Sequence, residues 1–246
     1  MHIDPQSNIS RYTRQIPVIG QAGQDTLAAS HVCIVGVGGL GSPVALYLAA
    51  AGVGTLSIID KDSVSLSNLN RQILHTTPDL GRMKVDSGAE KLRALNPDIV
   101  IHTYYNKITP EFLSKRVSEV DLIIDAVDDY QTRHILNEFC VKHTIPFLHG
   151  AAQDFTGQMM LILPQKTACL HCFLSSCKTT YTPPVIGTTP GIIGVMQANE
   201  AIKFLVNIKS ELPGLLVLWD GITCTLEKCL IERNLECPVC GDRCTV

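Results

Sequence analysis

The stretch that decides the fold is residues 31–60, HVCIVGVGGLGSPVALYLAAAGVGTLSIID. An apolar, β-branched run comes first, followed by closely spaced glycines, an alanine-rich segment that ends at Gly52, and a second apolar run. The pattern predicts a strand, a helix with Ser42 as its N-cap, and a second strand, at 31–36, 42–51 and 55–59. From His31 to Ile59 there is no Asp, Glu, Lys or Arg, but the glycines favour a buried βαβ unit over a membrane span, which needs about 20 apolar residues in succession.

Strands and helices continue to alternate after Asp60. The periodicity predicts further strands at 99–105, 120–127, 145–150, 158–164, 215–220 and 225–232, and helices at 82–95, 131–142 and 192–208. The segment 165–190, rich in threonine and proline, is expected to be a loop. Alternation of this kind is typical of an α/β fold with a doubly wound, mainly parallel sheet.

The composition limits the classes of protein to be considered. Of 246 residues, 20 are basic and 23 acidic, and 46% are hydrophobic, which excludes a disordered chain and a coiled coil. Contact with nucleic acid is not expected, because no basic run stands out. The first thirty residues lack the basic and apolar segments of a secretory signal. We therefore expect a cytoplasmic protein that does not insert into a membrane.

The glycines after the first strand form a known kind of phosphate-binding pattern. Gly36, Gly38 and Gly41 fit G-x-G-x-x-G, and Asp60 follows 19 residues after Gly41, at the end of the next strand. Glycine lets backbone N–H groups approach a phosphate at a helix N-terminus, and an acidic residue at the second strand end suits ribose hydroxyls. Taken alone, the glycines could simply form a tight structural turn. The sequence of strand, turn, helix, strand and Asp60 favours nucleotide binding, but it does not separate NAD from ATP.

The polar segment after Asp60 favours a triphosphate. Residues 61–72 read KDSVSLSNLNRQ, and they place Arg71 shortly before Lys84. Cations at this position suit the charge that develops on a departing pyrophosphate, whereas a dinucleotide has less use for them. Without the glycine loop upstream, the segment would be interpreted as a solvated loop.

A group of carboxylates follows another buried strand. Asp125, Asp128 and Asp129 lie at the carboxyl edge of the predicted sheet, where doubly wound folds bind ligands. Mg²⁺ often binds one or two carboxylates together with substrate phosphates. We assign the magnesium role to Asp128, and expect Asp129 to cap the next helix and Asp125 to hold the strand end.

Four of the ten cysteines form two CxxC pairs, Cys169/Cys172 and Cys237/Cys240. In a long chain expected in a reducing compartment, such pairs indicate a metal rather than disulfides. Four thiolates suit tetrahedral Zn²⁺ in a closed, structural site. His171, between the first pair, is an alternative ligand.

Together the motifs resemble a known family. They are RYTRQ (11–15), GVGGLG (36–41), DKDSVSLSNLNRQ (60–72), GRMKV (81–85), DAVDDYQTR (125–133), GIIGVMQANEAIKFL (191–205) and the CxxC pairs. Over nearly its whole length the chain is similar to the ThiF/MoeB/HesA family of ubiquitin-activating-enzyme-like adenylyltransferases. The resemblance implies a Rossmann-like fold with a C-terminal extension tethered by zinc. It implies one domain over 1–246, with a nucleotide-binding core at 11–164 and a crossover loop, buried helix and C-terminal part at 165–246.

The resemblance also implies a reaction. The enzyme would use ATP and Mg²⁺ to adenylate the C-terminal glycine of a small ubiquitin-like sulfur-carrier protein ending in Gly-Gly, for thiamine or molybdopterin-type cofactor biosynthesis. The attacking carboxylate is already ionised, so the chemistry needs positioning and neutralisation of the phosphates rather than a general base. A separate sulfur donor is expected, because the chain lacks room for a rhodanese domain after residue 246.

Residue roles carry over by position. The implied ATP-binding residues are Gly36, Gly38, Gly39, Gly41, Asp60, Asp62, Ser67, Asn68, Arg71, Gln72, Lys84, Asp128 and Asp129. The implied catalytic residues are Arg14, Arg71, Lys84 and Asp128. The implied metal ligands are Asp128 for Mg²⁺ and Cys169, Cys172, Cys237 and Cys240 for Zn²⁺. Arg14 resembles an arginine finger that the neighbouring subunit supplies, which implies a homodimer.

Two positions depart from the family pattern. Many members carry a cysteine in the crossover loop, but the matching position here is Thr180, and Cys177 lies three residues earlier. We therefore treat Cys177 as an ordinary loop thiol. The family usually has Asn where this chain has Asp129, and the extra charge should weaken ATP binding unless Mg²⁺ or Arg133 offsets it.

Three other functions stay open at this point. One is adenylation of a short peptide, as in peptide-antibiotic maturation, although the chain shows no added peptide-clamp domain. Another is an NAD-dependent dehydrogenase, which would share the glycine loop and Asp60 but leave Arg71, Lys84 and Asp128 unexplained. The third is a scaffold that binds a nucleotide without turnover. The retention of every phosphate-facing position argues against it.

Overall fold

A computed structural model describes residues 11–174 and 183–242. In these residues, eight strands form one sheet in the order β3-β2-β1-β4-β5-β6-β7-β8. The strands are β1 (His31–Val35), β2 (Thr55–Ile59), β3 (Val100–Tyr104), β4 (Leu122–Asp125), β5 (Phe147–Gln153), β6 (Thr156–Ile162), β7 (Leu215–Asp220) and β8 (Thr225–Leu230). The helices are α1 (Ile16–Ala29), α2 (Gly41–Ala51), α3 (Lys84–Leu95), α4 (Pro110–Arg116), α5 (Tyr130–His143) and α6 (Thr188–Leu205). Among them, no helix has the length and apolar character that a membrane crossing requires.

The sheet has two parts that differ in strand direction. The parallel half consists of β3, β2, β1 and β4, and β5 still runs parallel to β4. The antiparallel half consists of β5, β6, β7 and β8. The predicted α/β class with a mainly parallel sheet is therefore confirmed. In the parallel half the strand ends meet at one edge, which is where such sheets bind ligands.

The first βαβ unit forms as predicted except at the start of its helix. α2 begins at Gly41 with Leu40 as N-cap, so the prediction of Ser42 as N-cap is wrong. The Ser42 N–H donates to the Gly38 carbonyl at 2.9 Å, because the turn of the glycine loop continues directly into the helix. The helix ends at Gly52, whose φ of 83° is the left-handed conformation that glycine adopts without strain.

The sequence prediction missed two helices and began the last helix too late. α4 has only 7 residues and begins after Thr109, whose side chain accepts from Phe112 N. α1 is interrupted at Gly20, so neither helix shows a long apolar period. α6 begins at Thr188 rather than at 192, because Pro190 is tolerated in the first turn of a helix.

Two apolar cores lie on opposite faces of the sheet. One packs the sheet against α2, α3 and α6, with Leu48 and Leu92 among its buried residues. The other packs it against α4 and α5, with Leu113 and Phe139. Because both faces are covered, β1 and β4 are apolar on both sides, and polar groups are displaced to the strand ends.

Candidate functional site

The glycine loop after β1 brings its backbone close to neighbouring elements. Gly36 has φ 92°, and a Cβ at Gly41 would overlap the Gly36 carbonyl oxygen. A Cβ at Gly39 would lie 3.1 Å from Pro190 of α6. The turn therefore requires glycine for backbone conformation and for close packing, and it leaves backbone N–H groups facing outward at the start of α2.

Side chains hold this loop from both sides at Val37. The Val37 N–H donates to Asp60 Oδ2 at 2.8 Å. The Val37 carbonyl accepts from His75 Nε2 at 3.0 Å, and the other ring nitrogen lies 2.9 Å from Ser87 Oγ. Burial lowers the pKa of His75, which keeps the ring neutral near pH 7. Sequence reasoning missed His75, because a lone histidine in a loop carries no signal of its own.

Lys84 is a buried cation at the start of α3. Its Nζ lies 3.1 Å from Asp62 Oδ2 and 3.9 Å from Asp60 Oδ2, and its side chain is 7% exposed. The two carboxylates offset the cost of burying the ammonium group. The predicted residues Asp60, Asp62 and Lys84 thus come together as one charged cluster beside the glycine loop.

Residues of the segment between β2 and α3 have two roles. Some line the space in front of the glycine loop, and others hold the shape of the segment itself. Arg71 and Gln72 face the space in front of the glycine loop. The Arg71 guanidinium donates to the Ser67 carbonyl at 2.8 Å, and Asn68 Oδ1 accepts from Ser65 N at 3.1 Å. Ser67 and Asn68 therefore support the segment, and they do not line the cavity described below.

The carboxylates after β4 have three different surroundings. Asp128 is exposed. Asp129 Oδ1 accepts from Thr132 N at 2.7 Å as N-cap of α5, so the expected helix cap is confirmed. Asp125 is fully buried and belongs to a polar network beneath this loop. The Arg133 guanidinium contacts Asp125 rather than Asp129, so it does not pair with the extra charge at Asp129.

The buried network joins β4, α5, β5 and β6. Asp125 Oδ2 accepts from Arg133 Nε at 2.8 Å and from His149 Nδ1 at 2.7 Å. Arg133 also donates to the carbonyls of Val127, at 2.7 Å, and Gly150, at 3.1 Å. His149 Nε2 lies 3.0 Å from Gln158 Nε2. The network thereby links the backbone next to Asp128 to the antiparallel half.

Burial and pairing fix the charges in this network. Burial alone would raise the pKa of Asp125, but the Arg133 guanidinium and the His149 hydrogen bond hold it below its ordinary value. Burial, with Arg133 adding to it, lowers the pKa of His149. Asp125 is therefore an anion paired with Arg133, and His149 is a neutral ring that donates through Nδ1. Sequence reasoning placed Asp125 at the strand end and considered Arg133 only as a partner for Asp129, and it missed His149.

One cavity of about 990 Å³ extends across these features. Of the predicted site residues it is lined by Gly36, Gly38, Gly39, Asp60, Asp62, Arg71, Gln72, Lys84, Asp128 and Asp129. Gly41 lies behind the loop, and Arg14 lies outside the cavity of its own chain. The cavity continues over the antiparallel half to Gln158, Leu218 and Trp219, which sequence reasoning missed. No cysteine lines it within residues 11–174 and 183–242.

The two CxxC pairs come together although 68 residues separate them. The four sulfur atoms lie within 4.8 Å of one another, with Cys169 and Cys237 3.8 Å apart and Cys172 and Cys240 3.5 Å apart. Burial raises the pKa of Cys240 to about 11. His171 is not part of the cluster, and its ring faces His134 at 5.9 Å. Cys177 and Thr180 lie outside the described residues.

Comparisons with known proteins agree with this geometry. The fold and the loop define the class, an α/β nucleotide-binding protein. The ThiF family model matches residues 12–239. The chain is 40% identical over 241 residues to the sulfur carrier protein ThiS adenylyltransferase of Escherichia coli K12, covering 94% of each chain. It is 37% identical over 244 residues to the SAMP-activating enzyme E1 of Haloferax volcanii, covering 96% of this chain and 90% of the relative.

Solved structures show the same fold. The crystal structure of E. coli MccB with ATP superposes with a TM-score of 0.87 at 23% identity, over 96% of this chain and 75% of MccB. The family model spans most of the chain, and the relatives align over nearly their whole length. The chain therefore belongs to the ThiF family.

Proposed function

We propose that this protein is an adenylyltransferase that uses ATP to activate the C-terminal glycine carboxylate of a small ubiquitin-like sulfur carrier. The observation that carries the proposal is the continuity of the cavity. The glycine loop and its cations line one end, and the open face of the antiparallel half lines the other. An ATP α-phosphate and the end of an extended polypeptide can therefore meet in one cavity. The names of the relatives from E. coli and H. volcanii support this carrier class.

The residues present suit the phosphates of ATP. Backbone N–H groups of the glycine loop face the position that such phosphates occupy at a helix N-terminus. Gln72 Oε1 is buried and accepts no hydrogen bond from the described residues, which leaves it for a hydroxyl or amino donor of the nucleotide, because phosphate oxygens only accept. Lys84 and Arg71 supply the positive charge that neutralises departing pyrophosphate. The carboxylate of the carrier would attack the α-phosphorus, forming the acyl–adenylate bond as the bond to pyrophosphate breaks.

Asp128 is the residue that would hold Mg²⁺. It is an exposed carboxylate at the cavity wall, and the hydrogen bonds and ion pairs of the described residues leave it unpaired. An oxygen ligand of this kind matches the preference of Mg²⁺ for one or two carboxylates together with substrate phosphates. The ion would supply charge neutralisation at the phosphates. Mg²⁺ would also offset the charge of Asp129, which Arg133 does not pair with.

The cysteine cluster fits Zn²⁺. In a tetrahedral site with Zn–S bonds of about 2.3 Å, neighbouring sulfurs lie about 3.8 Å apart. The measured separations of 3.8 Å and 3.5 Å agree with that geometry. Cys169, Cys172, Cys237 and Cys240 would form a closed structural site that tethers the C-terminal part of the chain. Metal analysis of the purified protein should find about one zinc per chain, and a Cys237→Ser variant should lose it.

We expect a homodimer in which Arg14 acts across the subunit interface. Arg14 is exposed before α1 and lies outside the cavity of its own chain, so only a second copy could bring it to the phosphates. Mixing inactive Arg14→Ala and Asp128→Ala chains tests this arrangement. Mixed dimers should regain activity, because one of their two sites combines an intact Arg14 with an intact Asp128. Failure of the mixture, with exchange of subunits verified, would contradict the arrangement.

A separate sulfur donor fits the cavity, because no cysteine among its described lining residues offers a nucleophile. Sulfur of the donor would attack the acyl carbon after adenylation, forming a bond to that carbon as the bond to AMP breaks and AMP leaves. None of the eight described cysteines forms a disulfide, in keeping with the cytoplasmic location that we propose.

ATP–pyrophosphate exchange tests the proposed function. Purified protein is assayed with Mg²⁺ and a panel of carriers ending in Gly-Gly, with ThiS as the first. We expect exchange with one carrier, and a loss of at least about 100-fold in Asp128→Ala, equal to about 2.7 kcal/mol of transition-state stabilisation. Asp86→Ala is the matched control, because Asp86 is an exposed carboxylate on α3 outside the cavity.

The outcomes separate the alternatives. Exchange that depends on a carrier and is lost only in Asp128→Ala supports the proposal. ATP binding without exchange for any carrier contradicts it, and it would redirect the search to a peptide substrate or to a scaffold. A preference for NADH over ATP in binding would indicate the dehydrogenase instead.

A further inference from the structure

Gln158 is a polar side chain on the cavity wall to which neither sequence pattern nor nucleotide chemistry assigns a role. It lies on β6, opposite Ala151 of β5 and Leu218 of β7. Its side chain is half-buried, and it lines the same cavity as Asp128. A polypeptide end that reaches the α-phosphate from the antiparallel half can therefore contact it.

The buried network fixes the orientation of the Gln158 amide. His149 donates through Nδ1 to Asp125 at 2.7 Å, so Nε2 of the neutral ring is an acceptor. The Gln158 amide nitrogen, 3.0 Å from that Nε2, is consequently the donor. Arg133 fixes Asp125 in turn. A chain of hydrogen bonds thus runs from the backbone beside Asp128 to this side chain.

This orientation leaves an acceptor without a partner. The Gln158 amide nitrogen is committed to His149, and its Oε1 accepts no hydrogen bond from the described residues. An amide that is held through its nitrogen presents its oxygen at a fixed position. A C-terminal Gly-Gly segment has no side chains, so its backbone N–H groups are the donors by which the described cavity can position it.

We infer that Gln158 Oε1 accepts a backbone N–H of the Gly-Gly end of the substrate, and that His149 is the positioning residue that aims it. This inference rests on the proposed function and names a substrate contact for that site. The contact holds the terminal carboxylate in line with the α-phosphorus. It also links the two ends of the cavity, because the same network braces the loop that carries Asp128.

The first test separates carrier binding from ATP binding. In Gln158→Leu we expect the half-saturating carrier concentration in pyrophosphate exchange to rise about tenfold, the effect of one hydrogen bond. ATP affinity without carrier should stay within twofold. His149→Gln should shift the carrier concentration in the same direction, by about threefold, because Gln158 remains but loses its orientation. The matched control is Gln21→Leu, at an exposed amide on α1 that lies outside the cavity and whose nitrogen donates to Asp25 at 2.8 Å.

The second test uses the substrate backbone. Each of the two C-terminal glycines of ThiS is replaced in turn with sarcosine, which removes one N–H. If Gln158 accepts that N–H, the sarcosine substitution should raise the half-saturating carrier concentration about tenfold more in the wild-type enzyme than in Gln158→Leu. A purely structural role of Gln158 would not produce this coupling.

Each outcome has one meaning. Coupling at either glycine supports the inference. Exchange in the wild-type enzyme with no coupling at either position, or an equal effect in Gln21→Leu, overturns the inference and leaves the proposed function standing. No exchange in the wild-type enzyme with any carrier overturns the proposed function, and the inference with it.

Discussion

The two halves of the sheet hold their functional groups in different ways. All residues of β4, in the parallel half, are buried, whereas all residues of β8, at the antiparallel edge, are exposed. At the end of the parallel half, backbone and side chains are fixed by short contacts such as Val37 N to Asp60, 2.8 Å. The antiparallel half instead presents an open face toward the cavity. Under the proposed function, ATP uses the buried half and the carrier uses the open one.

The largest difference in stability is expected between two glycine substitutions, one in the tightly packed glycine loop and one at an open position of α6. Gly41→Ala should lower the free energy of unfolding by about 4 kcal/mol, because the new Cβ would overlap the Gly36 carbonyl oxygen. ATP binding should be lost with it. Gly191→Ala in α6 meets nothing within 4 Å and should be stabilising by about 0.5–1 kcal/mol. Urea unfolding and ATP titration of both variants measure these effects. Equal effects of the two substitutions would show that the glycine loop is not tightly packed.

The second comparison is between a buried ion pair at the end of the parallel half and an exposed ion pair on the antiparallel half. Arg133→Met leaves the fully buried Asp125 carboxylate unpaired, and we expect a loss of about 3 kcal/mol in the free energy of unfolding. Lys228→Met removes an exposed pair with Glu211, 3.9 Å apart on the antiparallel half, and should change stability by no more than about 0.5 kcal/mol. Urea unfolding at pH 7.5 measures both. A similarly small change in the free energy of unfolding of both variants would show that the Arg133–Asp125 pair does not stabilise the fold.

The pH dependence of stability gives the smallest expected effect. Burial lowers the pKa of His149 and of His75 below the ordinary 6.5, so between pH 6.5 and the folded-state values the unfolded chain binds more protons. Stability should therefore fall as the pH drops below about 6.5, by at most about 1.4 kcal/mol per pH unit for each histidine. The charged groups facing these rings are Asp125 and Arg133 for His149, and Lys84, Lys91 and Asp79 for His75.

Urea unfolding between pH 5.5 and 7.5 measures this slope. His149→Gln should reduce the slope of stability against pH, because His75 then remains as the other contributor. His143→Gln, at an exposed position at the end of α5, should leave the slope unchanged. A flat profile in the wild-type protein would mean that the buried rings do not resist protonation.

Prediction from sequence succeeded where the signal was local. The glycine loop, Asp60, the cap at Asp129 and the strand β1 follow from residue types close together in the chain. The N-cap at Ser42 was wrong, because the helix start depends on how the loop turns and not on which residue could cap it. α4 was missed because 7 residues are too few for a period to show.

The site shows the same division between local and distant information. Asp128, Lys84 and Arg71 follow strand ends and motifs, and the structure places them around one cavity. Ser67 and Asn68 belong to the same motif but support it from outside the cavity. His149 and Gln158 had no motif, because their importance arises from contacts across strands that are far apart in the sequence.

The sequence by itself determined the family and the α/β class, and it predicted the phosphate-facing and metal-ligating residues, because each depends on residue types at fixed short spacings. Only the tertiary structure decided which of these residues face the cavity, how the two CxxC pairs meet across 68 residues, and how Arg133, Asp125 and His149 connect the two halves of the sheet. The reason is physical. Burial, charge pairing and hydrogen-bond direction depend on neighbours that the chain brings together only when it folds.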